Sequence, residues 1–582
     1  MTVSFFHSLL QAPLLPYLII SAFVWITYAY TLRCGAVSDD FAGMLEYDGK
    51  LQGMEYGMIW RWVRYHIVGG NFPSHKTMPN GEVLPQGKDM VRHHFLSIVV
   101  FNITCLIAYQ ALFPILGAKT AILAILILIV HPCTTQGVAW VSGLAYPLSL
   151  FWISATLLLM QWFYGNPTFE SALITLPLFC LIQFFAIHAI FATTVMIWAL
   201  LLFLGYWHFA IFGFVVSSAM CFDIIKTTVK MRVDEFKKQN MGSSTVLSWH
   251  KPVVMMKTLF YYICHAIAPI RMGLYHVWGF HYEKSLERRD RMFWAGAIIF
   301  AGLVFVFLTS GSFPIKFGIL WWVIFSVGFW NLITAQQFVT ERYILVANLG
   351  LGVIIATLTQ NHLWIYSFIL GAYLCRTWTH LPTYDDELRF YQSNVWNFPK
   401  SEIALGNLGV TYLKMGLGGS AMDTWMRATQ VNKDYDVPWV NMFYQMRSQA
   451  VQALQSGNYM QSISHYQMAL PHLESAIKCK VCHFPELWGK ERNETLNILK
   501  NPAILFQDEM KRLLINRENY KNLMMKATTD SRAKEVQESV RNNEQQIKNL
   551  AQFMQYQGFK FSDVAVSQKL NTDHLMSKLG GR

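Results

Sequence analysis

The chain has 582 residues, of which 53% are hydrophobic, 15% are aromatic and only 14% are charged. Soluble domains carry about 25% charged residues, so this composition excludes an ordinary water-soluble protein. The formal net charge is +12, but no basic patch is interleaved with aromatic residues. Since basic residues beside membrane spans contact anionic headgroups, we expect membrane lipid as a partner and no nucleic acid.

Long apolar stretches predict an all-α, polytopic membrane domain, because a membrane-spanning helix needs about 20 largely apolar residues. About eleven stretches qualify. The first lacks a preceding basic segment, so we expect a retained span and not a cleaved signal peptide. The predicted spans are residues 14–32, 95–113, 118–130, 146–164, 171–187, 189–207, 209–225, 292–310, 315–333, 343–359 and 363–376.

Eleven crossings would place residues 35–92, residues 227–290 and everything after residue 377 on one external face. Residues 227–290 carry ten Lys or Arg against five Asp or Glu, which opposes this orientation, although long loops follow the positive-inside rule poorly. Because the charge of a long loop is weak evidence, we keep the external assignment and predict a bacterial inner-membrane protein with a periplasmic C-terminal domain. The alternative is an endoplasmic-reticulum membrane protein with a lumenal domain.

The last third of the chain is rich in polar residues and contains a repeat. The first copy has the spacing of a tetratricopeptide (TPR) helix pair, and its last four positions recur 41 residues later. The repeated positions are Gly416, Ala421, Trp425 and Ala428 in the first copy, and Gly457, Ser462, Tyr466 and Ala469 in the second. We predict a membrane domain over residues 1–380, a TPR-type α-solenoid over 381–500, and a polar helical extension over 501–582.

Three short motifs beside predicted spans carry groups suited to chemistry. Asp39 and Asp40 follow the first span; paired carboxylates can bind a divalent cation or act as a general base, or can occupy a solvated turn. Residues 131–143 read His-Pro-Cys-Thr-Thr-Gln-Gly-Val-Ala-Trp-Val-Ser-Gly, and Glu341 and Arg342 precede a late span. Alone, His131 and Pro132 could simply end a span, and Glu341 and Arg342 could form an interfacial ion pair.

The order of these motifs, followed by TPR repeats, resembles the transmembrane-and-TPR O-mannosyltransferase family and its bacterial relatives, which are GT-C fold glycosyltransferases. The resemblance extends to residues 93–97, which read His-His-Phe-Leu-Ser, and to residues 256–282. It implies a polyprenyl-phosphate sugar as donor and a protein hydroxyl as acceptor, presented by the TPR domain. The implied catalytic base is Asp39 or Asp40, and His131 and Arg342 would lie near the donor phosphate, a group that an arginine fork suits. The further candidates for substrate binding are His93, His94, Gln136 and Glu341.

The chain also departs from that family. Gln136 stands where relatives typically have Glu, residues 143–146 replace a charged run, and His188 with Ala189 replaces a Lys-Pro pair. The alternative is therefore a catalytically degenerate membrane scaffold of GT-C fold whose TPR domain docks partners in a redox complex.

A fourth motif, Cys479-x-x-Cys482-His483, is the attachment sequence of c-type haem, with His483 as the iron ligand. The remaining interpretations are a local disulfide, an unliganded pair, or half of a zinc site that would need further ligands such as His465 or His472. The haem would suit the scaffold alternative.

Overall fold

Nearly all of the described secondary structure is helical. The computed structural model of the chain describes residues 14–40, 58–68, 75–77, 83–85, 87–194, 197–216, 218–219, 222, 251–274, 291–330, 339–479, 482–525 and 530–557. Two short strands form an antiparallel ribbon, β1 (His75–Thr77) with β2 (Val83–Pro85), in which Lys76 lies opposite Leu84.

The described residues form two compact units, one that ends at Gly416 and one that begins at Leu417. The sequence had suggested a boundary at residue 380. The later boundary arises because residues 385–397 are tied to the first unit: the Gly35 amide donates to the Asp385 carbonyl (2.9 Å), and the Leu274 amide donates to Asn394 Oδ1 (2.6 Å).

The helices of the first unit, in chain order, are α1 (Leu14–Tyr28), α2 (Met58–Val68), α3 (Gly87–Leu116), α4 (Ala118–Val130), α5 (Thr135–Val138), α6 (Ala145–Gly165), α7 (Phe169–Thr194), α8 (Ile197–Phe203), α9 (Trp207–Val216), α10 (Lys251–Ile267), α11 (Arg291–Thr309), α12 (Phe313–Val327), α13 (Asn348–Thr359), α14 (Leu363–His380), α15 (Glu387–Asn397) and α16 (Glu402–Lys414).

Five helical segments among the described residues are long and apolar enough to cross a membrane, consistent with an integral membrane protein. They are Leu14–Arg33, Met90–Leu116, Val141–Gly165, Phe169–Ala186 and Arg291–Thr309. A sixth span results if α4 and the helical turns over Pro132–Val138, which meet at a bend of 64°, count as one. These six coincide with predicted spans. At 209–225, 315–333 and 343–359 the structure has shorter apolar helices, so the number eleven stays a prediction.

Glycines allow the central helices of the first unit to approach closely, as small residues commonly do between membrane helices. A Cβ atom on Gly350 of α13 would lie 2.4 Å from the carbonyl oxygen of Gly318 on α12. A Cβ atom on Gly352, on the same helix, would lie 2.6 Å from the carbonyl oxygen of Ala124 on α4. Helix α13 is therefore wedged between two neighbours by backbone contact on two faces.

The described part of the second unit has six helices, arranged as successive neighbours. They are α17 (Gly418–Val431), α18 (Asp436–Gln455), α19 (Tyr459–Lys478), α20 (Pro485–Lys500), α21 (Ala503–Met525) and α22 (Asp530–Tyr556). Gly457 has a φ of +83° between α18 and α19, and Gly416 has a φ of +77° at the end of α16. Only glycine adopts this conformation without strain, which explains why the repeat retains a glycine at both positions. The succession of helices joined by glycine turns fits the repeat seen in the sequence. The assignment of this repeat as TPR stays a prediction.

Helices α21 and α22, which the sequence suggested as a polar extension, share a hydrophobic core with α18 and α19. Phe506 and Leu513 of α21 and Leu550 and Met554 of α22 are buried against Tyr466. The apolar residues were too sparse in this polar stretch to reveal a buried face. Residues 558–582 lie outside the described residues.

Substituting Gly350 tests the close packing of α13. We expect Gly350→Ala to lower the free energy of unfolding by about 1–3 kcal/mol, because the new methyl group meets the Gly318 backbone and not a flexible side chain. The measurement is the unfolding temperature in detergent, which should fall. Gly371→Ala on α14 is the matched control, since a Cβ atom there has nothing within 4 Å, and alanine favours the helix by about 1 kcal/mol. Equal effects of the two substitutions would contradict the packing described here.

Candidate active site

The candidate site is organised by an irregular segment between α4 and α6. His131 precedes a proline and is extended (φ −65°, ψ 126°), because a following proline disfavours helical geometry. Short 3-10 turns follow at Pro132–Thr134 and Val141–Leu144. A Cβ atom on Gly143 would lie 2.2 Å from the carbonyl oxygen of Gln136, so the segment folds back tightly on itself. Its backbone groups are thereby available to side chains from other helices.

Asp40 is buried and bound to this segment. Its Oδ1 accepts hydrogen bonds from the Ser142 amide (2.8 Å) and hydroxyl (2.6 Å), and its Oδ2 accepts one from the Val37 amide (3.2 Å). Burial raises the pKa of Asp40 to about 6, although the hydrogen bonds from Ser142 and Val37 and the charge of Arg64 lower it. Asp40 is therefore well placed to hold the segment and poorly placed to reach a substrate.

Asp39 differs from its neighbour in being exposed. It follows Ser38, whose φ of +54° is unusual for a residue other than glycine and marks a tight turn. Burial lowers the pKa of the Arg342 guanidinium, but Tyr146 and Tyr343, and to a smaller extent the carboxylate of Asp39, raise it. The acidic pair thus combines one exposed and one buried carboxyl group beside an arginine that lies 300 residues away in the sequence.

Arg342 lies among three aromatic rings. Its guanidinium carbon is 4.7 Å from the ring centre of Trp140, 5.2 Å from that of Tyr343 and 5.9 Å from that of Tyr146. Its Nε donates to the Tyr146 hydroxyl (3.1 Å), and its Nη1 donates to the Thr340 hydroxyl (3.2 Å). Cation–π contacts of this kind stabilise a positive charge without neutralising it. We call these four residues, Arg342 with Trp140, Tyr146 and Tyr343, the arginine cage.

Gln136 and Glu341 form a buried network behind the arginine cage. The Gln136 amide nitrogen donates to Glu341 Oε2 and to the Gly273 carbonyl (3.1 Å). Its oxygen accepts from the Thr340 hydroxyl (2.8 Å) and the Arg342 amide (3.2 Å), and Glu341 Oε1 accepts from the Gly273 amide (2.7 Å). These two predicted substrate-binding residues therefore bind protein groups and fix the turn that carries Arg342.

The predicted histidines are also engaged with the protein. His131 Nε2 lies 2.8 Å from the Ala266 carbonyl and donates to it, while Nδ1 accepts from the Cys133 amide (3.2 Å) and faces the Asn348 amide nitrogen at 3.3 Å. His94 is buried, with Nε2 3.4 Å from the Gly35 carbonyl. His93 is buried too.

Arg64 is a site residue that the sequence analysis missed. It projects from α2 into the interior, where its guanidinium donates to the Val141 carbonyl (2.6 Å), the Ser97 hydroxyl (2.6 Å) and the His93 carbonyl (3.3 Å). Burial lowers the pKa of Arg64 to about 10, and Asp40 raises it, so Arg64 is charged at neutral pH. The available signal was an aromatic, amphipathic stretch with two arginines, Arg61 and Arg64, and nothing in the sequence distinguished the second from the first.

The cysteine motif lies in the second unit, and its residues have different environments. Cys479 is buried, its thiol donates to the carbonyls of Lys433 (3.4 Å) and Ser475 (3.2 Å), and burial with the nearby Asp436 charge raises its pKa to about 12. Cys482 is half-buried, and both thiols are free. A haem attached through both sulfurs would require the Cys479 thiol to leave this position.

His483 is held by the buried Asp436. The carboxylate accepts from the His483 amide (2.7 Å), lies 2.5 Å from its Nδ1, and accepts from the Trp488 indole (3.3 Å). Carboxylates orient metal-bound histidines in this way, but they also stabilise a histidine that binds no metal. Haem attachment, a disulfide and an unliganded pair therefore all stay predictions.

Among the residues that the structure describes, no three or more His, Cys, Asp or Glu side chains are grouped so that they could hold a metal ion. A divalent cation at Asp39 and Asp40 would have the exposed carboxylate as its accessible ligand, because both oxygens of Asp40 are already hydrogen-bonded. This cation stays a prediction.

Comparison of the chain with known protein families, with curated proteins and with solved structures gives no match. Its function must therefore be inferred from its own residues. The most informative of these are the acidic pair, residues 136–146 and residues 340–343, which the fold brings together.

The raised pKa of Asp40 predicts a pH-dependent stability. The folded chain binds the Asp40 proton more tightly than the unfolded chain does, so this contribution is fully present below about pH 4 and is lost as the pH rises through about 6. The free energy of unfolding of the wild type, minus that of Asp40→Asn, should fall by about 2–3 kcal/mol between pH 4 and pH 8. Thermal unfolding in detergent measures it, with Asp423→Asn at an exposed position as the matched control. A difference that does not change with pH would contradict the burial of Asp40.

Proposed function

We propose that the chain is an integral membrane glycosyltransferase of GT-C type, which transfers a sugar from a polyprenyl-phosphate carrier to a hydroxyl acceptor on a protein. The observation that carries this proposal is the convergence of an exposed carboxylate, Asp39, with the arginine cage around Arg342. An acceptor hydroxyl needs a base, and a departing phosphate needs a cation. At this site Asp39 is the candidate base and Arg342 is the candidate cation.

Asp39 is assigned as the base, because it is exposed whereas Asp40 is buried and hydrogen-bonded through both oxygens. In the proposed reaction Asp39 removes the proton of the acceptor hydroxyl as its oxygen bonds to the anomeric carbon of the sugar. The bond between that carbon and the phosphate oxygen breaks, and its electron pair leaves with the phosphate. Asp40 is a positioning residue that holds Ser142.

Arg342 is assigned to the donor phosphate. The aromatic rings and two hydroxyls around it stabilise its positive charge, and a guanidinium matches the geometry of phosphate oxygens. Residues 340–342 are fixed through Gln136 and Glu341, so the cation is pre-organised before the donor binds. Pre-organised charge of this kind lowers the barrier because little reorganisation is needed during the reaction.

A second candidate is a catalytically silent scaffold of the same fold. The observation that favours it is the engagement of His131 and Gln136 with protein groups, since both were predicted to contact the donor. The second unit would then dock partner proteins. The two candidates differ in whether the wild-type protein transfers sugar.

Substitution of the acidic pair tests the transferase. We expect Asp39→Asn to lower the transfer rate by about 10²–10⁴-fold, the usual contribution of a general base. Asp40→Asn should cause a smaller loss, because the asparagine oxygen can still accept from Ser142. The measurement is transfer by purified full-length protein in vesicles, from undecaprenyl-phosphate hexoses to peptides that contain serine and threonine.

Asp423→Asn, the same chemical change at an exposed position in the second unit, is the control and should transfer at the wild-type rate. Wild-type transfer by Asp39→Asn would remove the base assignment. Absence of transfer by the wild type with every donor would contradict the transferase and favour the scaffold.

A further inference from the structure

Arg64 and Asp40 bind opposite ends of one peptide group. The carbonyl of Val141 and the amide of Ser142 belong to the same peptide bond; Arg64 Nη1 donates to the carbonyl oxygen (2.6 Å), and Asp40 Oδ1 accepts from the amide nitrogen (2.8 Å). The positive side chain thus meets the negative end of the peptide dipole, and the negative side chain meets its positive end. Hydrogen bonds to charged groups are stronger than those between neutral groups, so this peptide cannot rotate without breaking two strong bonds.

The clamped peptide lies between the two groups assigned to chemistry. Trp140, which precedes it, stacks against Arg342 at 4.7 Å, and its indole nitrogen donates to the Val37 carbonyl (3.2 Å), two residues before Asp39. Rotation of the peptide would therefore move the tryptophan ring that supports Arg342 and loosen the turn that carries Asp39. The distance between Asp39 and Arg342 therefore depends on the hydrogen bond that Arg64 of α2 donates to the Val141 carbonyl.

We propose that Arg64 is a positioning residue that, together with Asp40, fixes the Val141–Ser142 peptide and thereby sets the geometry between Asp39 and Arg342 during transfer. This role rests on the proposed glycosyltransferase function. Arg64 is bound to protein groups and touches neither donor nor acceptor. Its effect should therefore fall on the rate of the chemical step and not on the affinity for the donor.

A pH profile separates this role from simple structural support. Arg64 lowers the pKa of Asp40, so its removal should move the acidic limb of the activity profile to higher pH. Among the residues that the structure describes, the other ionisable groups around the pair are Asp39, which is exposed, and His93 and His94 of α3, which face Arg64. Removing the charge of Arg64 also acts on His93 and His94, so the double variant Arg64→Met with Asp40→Asn is the reference: the part of the shift that is absent from the double variant reports on Asp40.

The experiment compares wild type, Arg64→Met, Arg64→Lys and the double variant Arg64→Met with Asp40→Asn, all as full-length protein in vesicles. A misplacement of about 1 Å can cost about 10²-fold in rate, so we expect Arg64→Met to lower kcat by about that factor with little change in the donor KM. Amide hydrogen exchange should become faster over residues 140–143 but not along α6. Arg64→Lys keeps the charge and should give an intermediate kcat and a nearly wild-type pH midpoint.

The double variant should be no slower than the worse single variant, because both side chains act on one peptide. Arg427→Met, at an exposed position of α17, is the matched control and should leave kcat unchanged. A folded Arg64→Met with wild-type kcat and pH midpoint would overturn this role alone, whereas a wild type that transfers no sugar would overturn the proposed function and this role together. If Arg64→Met does not fold, Arg64→Lys decides: an unchanged kcat and unchanged exchange over residues 140–143 would overturn the role.

Discussion

The first unit depends on satisfying charged side chains that lie inside it. Asp40 and Arg64 are both buried, and leaving either without partners would cost several kcal/mol, on the order of 3–5. Their partners include the Val141 carbonyl and the Ser142 amide, backbone groups that a regular helix would use for its own hydrogen bonds. The irregular segment between α4 and α6 is therefore a requirement of the buried charges, and the proline and glycines that break the helix make it available.

The same constraint divides the polar residues into two groups. Asp40, Arg64, Gln136 and His131 use their hydrogen-bonding atoms within the protein and hold the fold. Asp39 is exposed, and Arg342 is half-buried among three buried aromatic side chains. This division favours a transferase in which few residues touch substrate and many hold those few in position.

Part of this arrangement could be predicted from the sequence, and the rest depends on contacts that no sequence pattern reveals. Apolar length predicted helices able to cross a membrane, but only five described segments pass as long spans, because α4 is followed by a bend of 64° and the helices at Trp207–Val216, Phe313–Val327 and Asn348–Thr359 are shorter. Motif order predicted that the acidic pair, residues 131–143 and Arg342 belong together. It could not separate Asp39 from Asp40, since the difference depends on where Ser142 lies. Arg64 was missed because its partners are backbone carbonyls, which no sequence pattern reveals.

Binding of the lipid carrier alone tests the central claim most directly, since it requires neither the correct sugar nor an acceptor. Undecaprenyl phosphate should bind the wild-type protein and the exposed-position control Arg427→Gln equally. Arg342→Gln should bind at least about tenfold more weakly, because removing one charged hydrogen-bonding partner costs about 1.5–3 kcal/mol. Equal binding of all three proteins would show that Arg342 does not contact the phosphate and would contradict the proposed donor site.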